Sequence, residues 1–323
     1  MKPEEVARGD DRLAWLDSAK GIGILLVVIG HIWTGGIVRD DIYAFHMPLF
    51  FLLAGYTARP KELRPFVVAQ WRTLAVPYIA FLLTLVLADQ LIEHFRGLYP
   101  IFRSWDQALW AMLVGGSELR GPFTIFWFVP CLMAARIAQN ALLLRWPSPK
   151  DWRWAAAMAL SLATGLWLGK LTDFSPLGLL TVPVALPLLW LGSLWRVTGH
   201  HRIILAVAVV ASMVCLMMFH LTPLNMKIGD YGNPLISLPL AILLSLGTIG
   251  VANVIKIGPL RILGQQSLVI MFMHVPVIHF CAPYLNKTEL LGAALAISLV
   301  VHFGLSHIMW GRRYFLGRYD AVK

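Results

Sequence analysis

Ten apolar stretches mark the chain, near 14–36, 42–58, 73–92, 122–144, 154–171, 177–197, 202–220, 235–255, 260–282 and 290–310, with polar or charged connections between them. An α-helix needs roughly 20 apolar residues to cross a ~30 Å hydrocarbon layer, and most of these stretches come close to that. The second is short and holds Pro48, so it is expected to sit beneath a dip in the outer surface. Residues 93–121 form the longest connection, and its segment Trp105–Val114 is too short to span and is expected at the interface. The pattern predicts an all-α integral membrane protein of about ten transmembrane helices.

Composition agrees with the pattern. Of 323 residues, 58% are hydrophobic and 14% are charged, against roughly a quarter charged in a soluble domain. The net charge of +10 would fit a nucleic-acid binder only if the cations formed one patch. Here they fall in short clusters between apolar runs, so nucleic acid is excluded as a partner and membrane lipid is implied. With the N-terminus placed inside and the runs alternating, nineteen lysines and arginines fall on the inner side and seven on the outer, with Arg136 inside the fourth run. This asymmetry predicts both termini in the cytoplasm, in a multi-pass protein of the cell (inner) membrane.

The domain reading is a cytoplasmic segment 1–12, a transmembrane domain 13–311 and a short basic tail 312–323. The first apolar run contains His31 and lacks a small-residue cleavage site, so it is expected to stay as an anchor. Cys131, Cys215 and Cys281 each lie inside an apolar run with no paired spacing, and are read as core residues. No internal repeat or low-complexity tract is visible.

Candidate chemistry enters with the histidines. Lys20 and His31 are eleven residues apart. On an α-helix that spacing differs by only about 20° around the axis and places His31 roughly 16 Å deeper. An ionisable side chain at such depth marks function by default. Counted from the inner cations, His46 on the second run and His274 on the ninth fall at similar depths, roughly 16–20 Å, so three helices are expected to supply one histidine layer. No HExxH occurs, and no second ligand lies three or four residues from His31 or His46; no metal is assigned. Gly-x-Ser-x-Gly is also absent, which argues against a serine hydrolase. A neutral imidazole could serve as general base toward an alcohol, and cations at the inner mouth would suit a long anionic donor.

At this point the sequence resembles the membrane acyltransferase-3 family, in particular its fucose 4-O-acetylase-like branch. The resemblance rests on Arg12 through Gly23 to Gly30-His31, with a basic residue, ten residues, then histidine. Further pieces are Phe45-His46-Met47-Pro48 through Gly55-Tyr56, Trp71-Arg72 to Pro77-Tyr78, Phe126-Trp127-Phe128-Val129-Pro130, and Leu263-Gly264-Gln265-Gln266-Ser267-Leu268 to His274. It covers about residues 12–320. The resemblance implies a ten-helix O-acetyltransferase that takes acetyl from acetyl-CoA, with no bound cofactor, and gives it to a sugar hydroxyl of a polysaccharide or glycolipid. It also implies His31 as the essential histidine and Lys20 as its basic partner. Ala54 stands where many relatives carry serine, so a serine nucleophile is excluded there. Near Arg72 the second arginine common in other branches is missing.

The catalytic candidates are His31, Lys20 and Asp17, with Asp17 at i−3 from Lys20 and able to orient it. The donor- or substrate-binding candidates are Arg72, His46, Trp127, Ser267 and His274. Arg72 is the expected phosphate contact, whereas Arg136 is expected to snorkel to lipid headgroups. The alternative from another class is a transporter or flippase using buried His and Lys as substrate or proton sites.

Overall fold

The computed structural model describes residues 3–199, 202–255 and 257–319, with side chains from Ala14 onward. Lys2, Lys256 and Lys323, all counted among the inner cations, lie outside the described residues. The chain runs through α1 (Pro3–Ile32), α2 (Ile37–Tyr43), α3 (His46–Tyr56), α4 (Leu63–Gln70), α5 (Val76–Arg96), α6 (Trp105–Val114), α7 (Phe128–Arg145) and α8 (Trp152–Leu171). It continues through α9 (Val182–Thr198), α10 (Arg202–Met218), α11 (Pro234–Val254), α12 (Gly258–Gln265), α13 (Ser267–Cys281) and α14 (Lys287–His307). A π-helical turn, Trp71–Ala75, joins α4 to α5, and a 3₁₀ stretch, Gly121–Trp127, leads into α7. Among the described residues there is no named strand, only an isolated bridge between Asn225 and Asp230.

Seven helical stretches among the described residues are long and apolar enough to cross a membrane. Three of the ten expected spans differ from that standard. α3 has 11 residues, a rise of only about 16 Å, as the shortness of its run and Pro48 foreshadow. α10 has 17 residues. The ninth run is broken, not continuous: α12 and α13 meet at 84°. The break falls at Gln266, whose φ −108° and ψ 12° leave the helical region. Counting the depth of His274 straight from Arg261 therefore fails, because the turns of α12 run across the bundle.

Polar signals set the helix ends. Asn286 and Glu289 form a reciprocal capping box at the start of α14. Asp151 accepts the Arg153 backbone N–H at the start of α8. Gly97, at φ 66°, closes α5 in the left-handed conformation. α6 presents Trp105, Leu109, Trp110 and Leu113 outward while burying Ala108 and Ala111, the one-sided burial expected of an interfacial helix.

Two close crossings frame the interior. A Cβ at Gly21 would overlap the Leu260 carbonyl, and one at Gly264 would overlap the Asp17 carbonyl, so α12 lies backbone-to-backbone across α1. Gly55 and Gly192 do the same for α3 and α9, against Leu189 and Leu52. Small residues allow this approach, and dispersion then replaces the hydrophobic drive that lipid removes. A single large cluster built around Phe51, Phe81, Phe126, Phe128 and Phe272 fills the space between these crossings. Leu83, Leu87, Leu160, Ile203, Val207, Val300 and Phe303 point outward, which suits a lipid-facing belt.

Candidate functional site

α1, α2, α3, α7, α13 and the Pro223–Asp230 connection enclose a cavity of about 690 Å³, within the range of small-molecule and cofactor sites. Lys20 and His31 both line it, so it follows α1 for at least the roughly 16 Å that separates them. One end carries Lys20, Arg136, Thr57 and Ser267. The other carries Arg39, Asn225, Lys227 and Asp230. Ile24, Val27, Phe50, Trp127 and Met271 form apolar wall between them.

The three histidines meet on that wall, each from a different helix. The His31 and His274 ring centroids are 5.1 Å apart. Tyr43, from α2, bridges to the third, with its ring centroid 4.8 Å from that of His46 and 5.8 Å from that of His31. The Tyr43 hydroxyl lies 3.2 Å from His31 Nδ1 and 3.4 Å from Nε2. Within reach of both nitrogens at once, it lies out of the imidazole plane, so a rotation of the ring is what brings one nitrogen or the other into line with it.

Backbone carbonyls select the tautomers of the other two rings. His46 Nδ1 is 2.9 Å from the Ile42 carbonyl and His274 Nδ1 is 2.8 Å from the Ile270 carbonyl. A carbonyl only accepts, so Nδ1 carries the proton in both rings and Nε2 keeps its lone pair. His274 is fully buried, and its Nε2 has no hydrogen-bond partner. Such an atom normally has a partner, and one supplied by a molecule entering the cavity would satisfy it.

At the first end, Lys20 Nζ lies 3.8 Å from Asp17 Oδ1, and Gln265 Nε2 donates to Asp17 Oδ2 at 3.1 Å. Asp17 is not among the lining residues; it touches Lys20 from behind, and Gln265 of α12 holds it there. Gly21 and Gly264 permit that contact by letting the two helices approach. At the other end, half-buried Lys227 donates to the Leu119 carbonyl at 2.6 Å and to Thr124 Oγ1 at 2.9 Å. Burial pushes its ammonium down to about 8, against a smaller upward pull from the Glu118 carboxylate. Arg39 lies over the Tyr43 ring at 4.7 Å.

His31, Lys20, His46, His274, Trp127 and Ser267 thus share one cavity. The two arginines exchange places relative to the sequence expectation. Arg136 lines the cavity beside Lys20, with its guanidinium 6.0 Å from the Phe66 ring. Arg72 is exposed and absent from the lining; its guanidinium stacks at 5.2 Å on Tyr319. The π-helical turn that carries Arg72 adds a residue to the helical circuit, which re-aims the side chains around it.

Sequence reasoning missed Tyr43, Gln265, Arg39 and Lys227 as site residues. Tyr43 and His46, three residues apart, offered a faint signal. Lys227 offered none, and Gln265 stood in the Leu263–Leu268 piece of the resemblance with no sign of its role, because their partners lie more than a hundred positions away.

Comparison with known proteins places this geometry in context. No curated protein and no protein of solved structure matches the chain. The acyltransferase domain model of the acyltransferase-3 family matches residues 13–309, which takes in every residue that lines the cavity, from Lys20 to His274. The chain belongs to that family of membrane acyltransferases.

Proposed function

We propose that the protein transfers acetyl from acetyl-CoA to a hydroxyl of a surface polysaccharide or glycolipid, without a bound cofactor, as the fucose 4-O-acetylase-like branch would. The observation that carries this reading is the single cavity that joins a cationic end to a cluster of imidazoles. Lys20 and Arg136 meet the donor's phosphates, Arg136 with the planar fork that suits phosphate oxygens. The pantetheine arm lies along the apolar wall and brings the thioester to His31. The opposite end, with Arg39, Asn225, Lys227 and Asp230, offers the polar contacts a carbohydrate needs.

His31 acts as general base. It takes the acceptor's hydroxyl proton as the oxygen bonds to the thioester carbonyl carbon, and the carbon–sulfur bond then breaks. The imidazolium returns the proton to the departing sulfur, so CoA leaves as the thiol and the acceptor as the ester. Such a base contributes roughly 10²–10⁴-fold. Tyr43 orients the ring, and His274 Nε2 is available to accept a hydrogen bond from the incoming hydroxyl.

A transporter would also bury His and Lys, but family membership favours the enzyme. The nineteen-to-seven division of cations supports ten crossings of the inner membrane with both termini in the cytoplasm; reporter fusions within 222–234 should then read as outside, and an inside signal rejects this topology. The deciding experiment is acetyl transfer from radiolabelled acetyl-CoA by the purified protein, with host glycans as acceptor. His31→Ala and His31→Gln should abolish transfer while keeping folded protein and donor binding. Near wild-type transfer by His31→Gln would refute the assignment.

A further inference from the structure

Away from the cavity, near the C-terminal ends of α5 and α13, Asp89 and Glu93 stand one helical turn apart. Both are buried, at 0% and 3% exposure. Two carboxylates out of water are costly unless charge and hydrogen bonds compensate them. The compensation present is incomplete. Asp89 Oδ2 accepts the Ile101 backbone N–H at 2.9 Å, and Arg96 donates to Glu93 Oε1 at 2.7 Å. One guanidinium therefore faces two carboxylates, and Asp89 Oδ1 is buried with no partner at all.

The third member comes from the other helix. His279 Nε2 lies 4.0 Å from Glu93 Oε1, and the ligand-capable atoms of Asp89, Glu93 and His279 all lie within 4.8 Å of one another. Ligands about 2.1 Å from a tetrahedral ion stand roughly 3.4 Å apart, a separation that side-chain rotations can supply. The His279 side chain is 35% exposed, which leaves an entry path to an otherwise buried pair.

We propose that Asp89, Glu93 and His279 form a site for a divalent transition-metal ion that ties α5 to α13. Two carboxylates and an imidazole are the donor set of a zinc- or manganese-type site, whereas calcium and magnesium favour all-oxygen shells. The ion supplies the positive charge that Arg96 alone does not, and gives Asp89 Oδ1 a partner. Arg96 keeps Glu93 Oε1 while Oε2 ligates. The bond would also brace the helix that presents His274, five residues before His279.

The test uses the full chain in detergent, stripped with chelator, loaded with Zn²⁺ and freed of excess by gel filtration. About one zinc per chain should remain, with a raised Tm, as for a site that couples binding to folding. His279→Ala, at a part-exposed position, should fold and lose both the zinc and the Tm gain. Asp89→Asn should do the same where it folds. His31→Ala should keep the zinc, because its cavity is separate. Substoichiometric zinc in the wild type, zinc retained by His279→Ala, or zinc lost in His31→Ala would each overturn the proposal. None of these readouts depends on acyl transfer, so the site stands or falls apart from the proposed function.

Discussion

Replacing Tyr43 by phenylalanine isolates one hydroxyl of the histidine cluster. The aromatic ring, and with it the packing against His31 and His46 at centroid distances of 5.8 Å and 4.8 Å, survives the change. What disappears is the hydroxyl, 3.2 Å from His31 Nδ1. In the resting enzyme that hydrogen bond joins neutral groups and contributes about 1 kcal/mol net. In the proposed reaction His31 becomes cationic when it takes the acceptor's proton, and a hydrogen bond to a charged group is worth about 1.5–3 kcal/mol. The difference between the two states, about 0.5–2 kcal/mol, is what the transition state loses. At 1.36 kcal/mol per decade this lowers kcat by about 2–30-fold. Because Tyr43 orients the base and does not grip the donor, KM for acetyl-CoA should stay within about twofold. The assay is steady-state CoA release in detergent or vesicles, with acceptor saturating. A kcat within a factor of two of wild type would show that Tyr43 does not act through His31. A large rise in donor KM with unchanged kcat would move Tyr43 to the donor path.

Three further outcomes are expected. Arg136→Ala should raise the apparent KM for acetyl-CoA by about tenfold, the loss of one charge-assisted phosphate contact, while Arg72→Ala leaves it near wild type; the reverse ranking in donor titrations would return the phosphate site to Arg72. Gly264→Ala should destabilise the fold by about 1–3 kcal/mol, since the added methyl overlaps the Asp17 carbonyl and forces α12 from α1; an unchanged Tm would contradict that tight crossing. Lys227 is an ammonium below its value of about 8 and a neutral amine above it, so if its charge holds the acceptor, acceptor KM should rise as pH passes upward through about 8. Lys227→Met should show the high KM throughout and no such step; a step of equal size in the variant would assign it to another group.

Periodicity and charge carried much of the architecture. Lipid as solvent demands long apolar runs, and those runs are contiguous in the chain, so the seven long helices and the shortness of the Trp105–Val114 segment were legible in the sequence. The same holds for Lys20 and His31, because two residues on one regular helix have a relative position set by 1.5 Å and 100° per residue. The Asp89–Glu93 pair, at i,i+4 spacing, drew no reading from the sequence, because without a partner it is indistinguishable from ordinary polar residues.

Where helices bend, and which of them touch, was decided only in three dimensions. The 84° break at Gln266 turns an apolar run that reads as one span into two helices, since apolar composition is silent about a single residue leaving helical φ/ψ. The assignment of Arg136 to the cavity and Arg72 to the exterior followed from helix rotation. For Arg72 that rotation is set at the π-helical turn Trp71–Ala75, whose extra residue re-aims the side chains around it. Gln265 behind Asp17, Lys227 at the far end and His279 beside Glu93 are contacts between segments remote in sequence. They arise from packing, where many weak dispersion contacts and a few satisfied polar groups select one arrangement, and no local pattern along the chain encodes that sum.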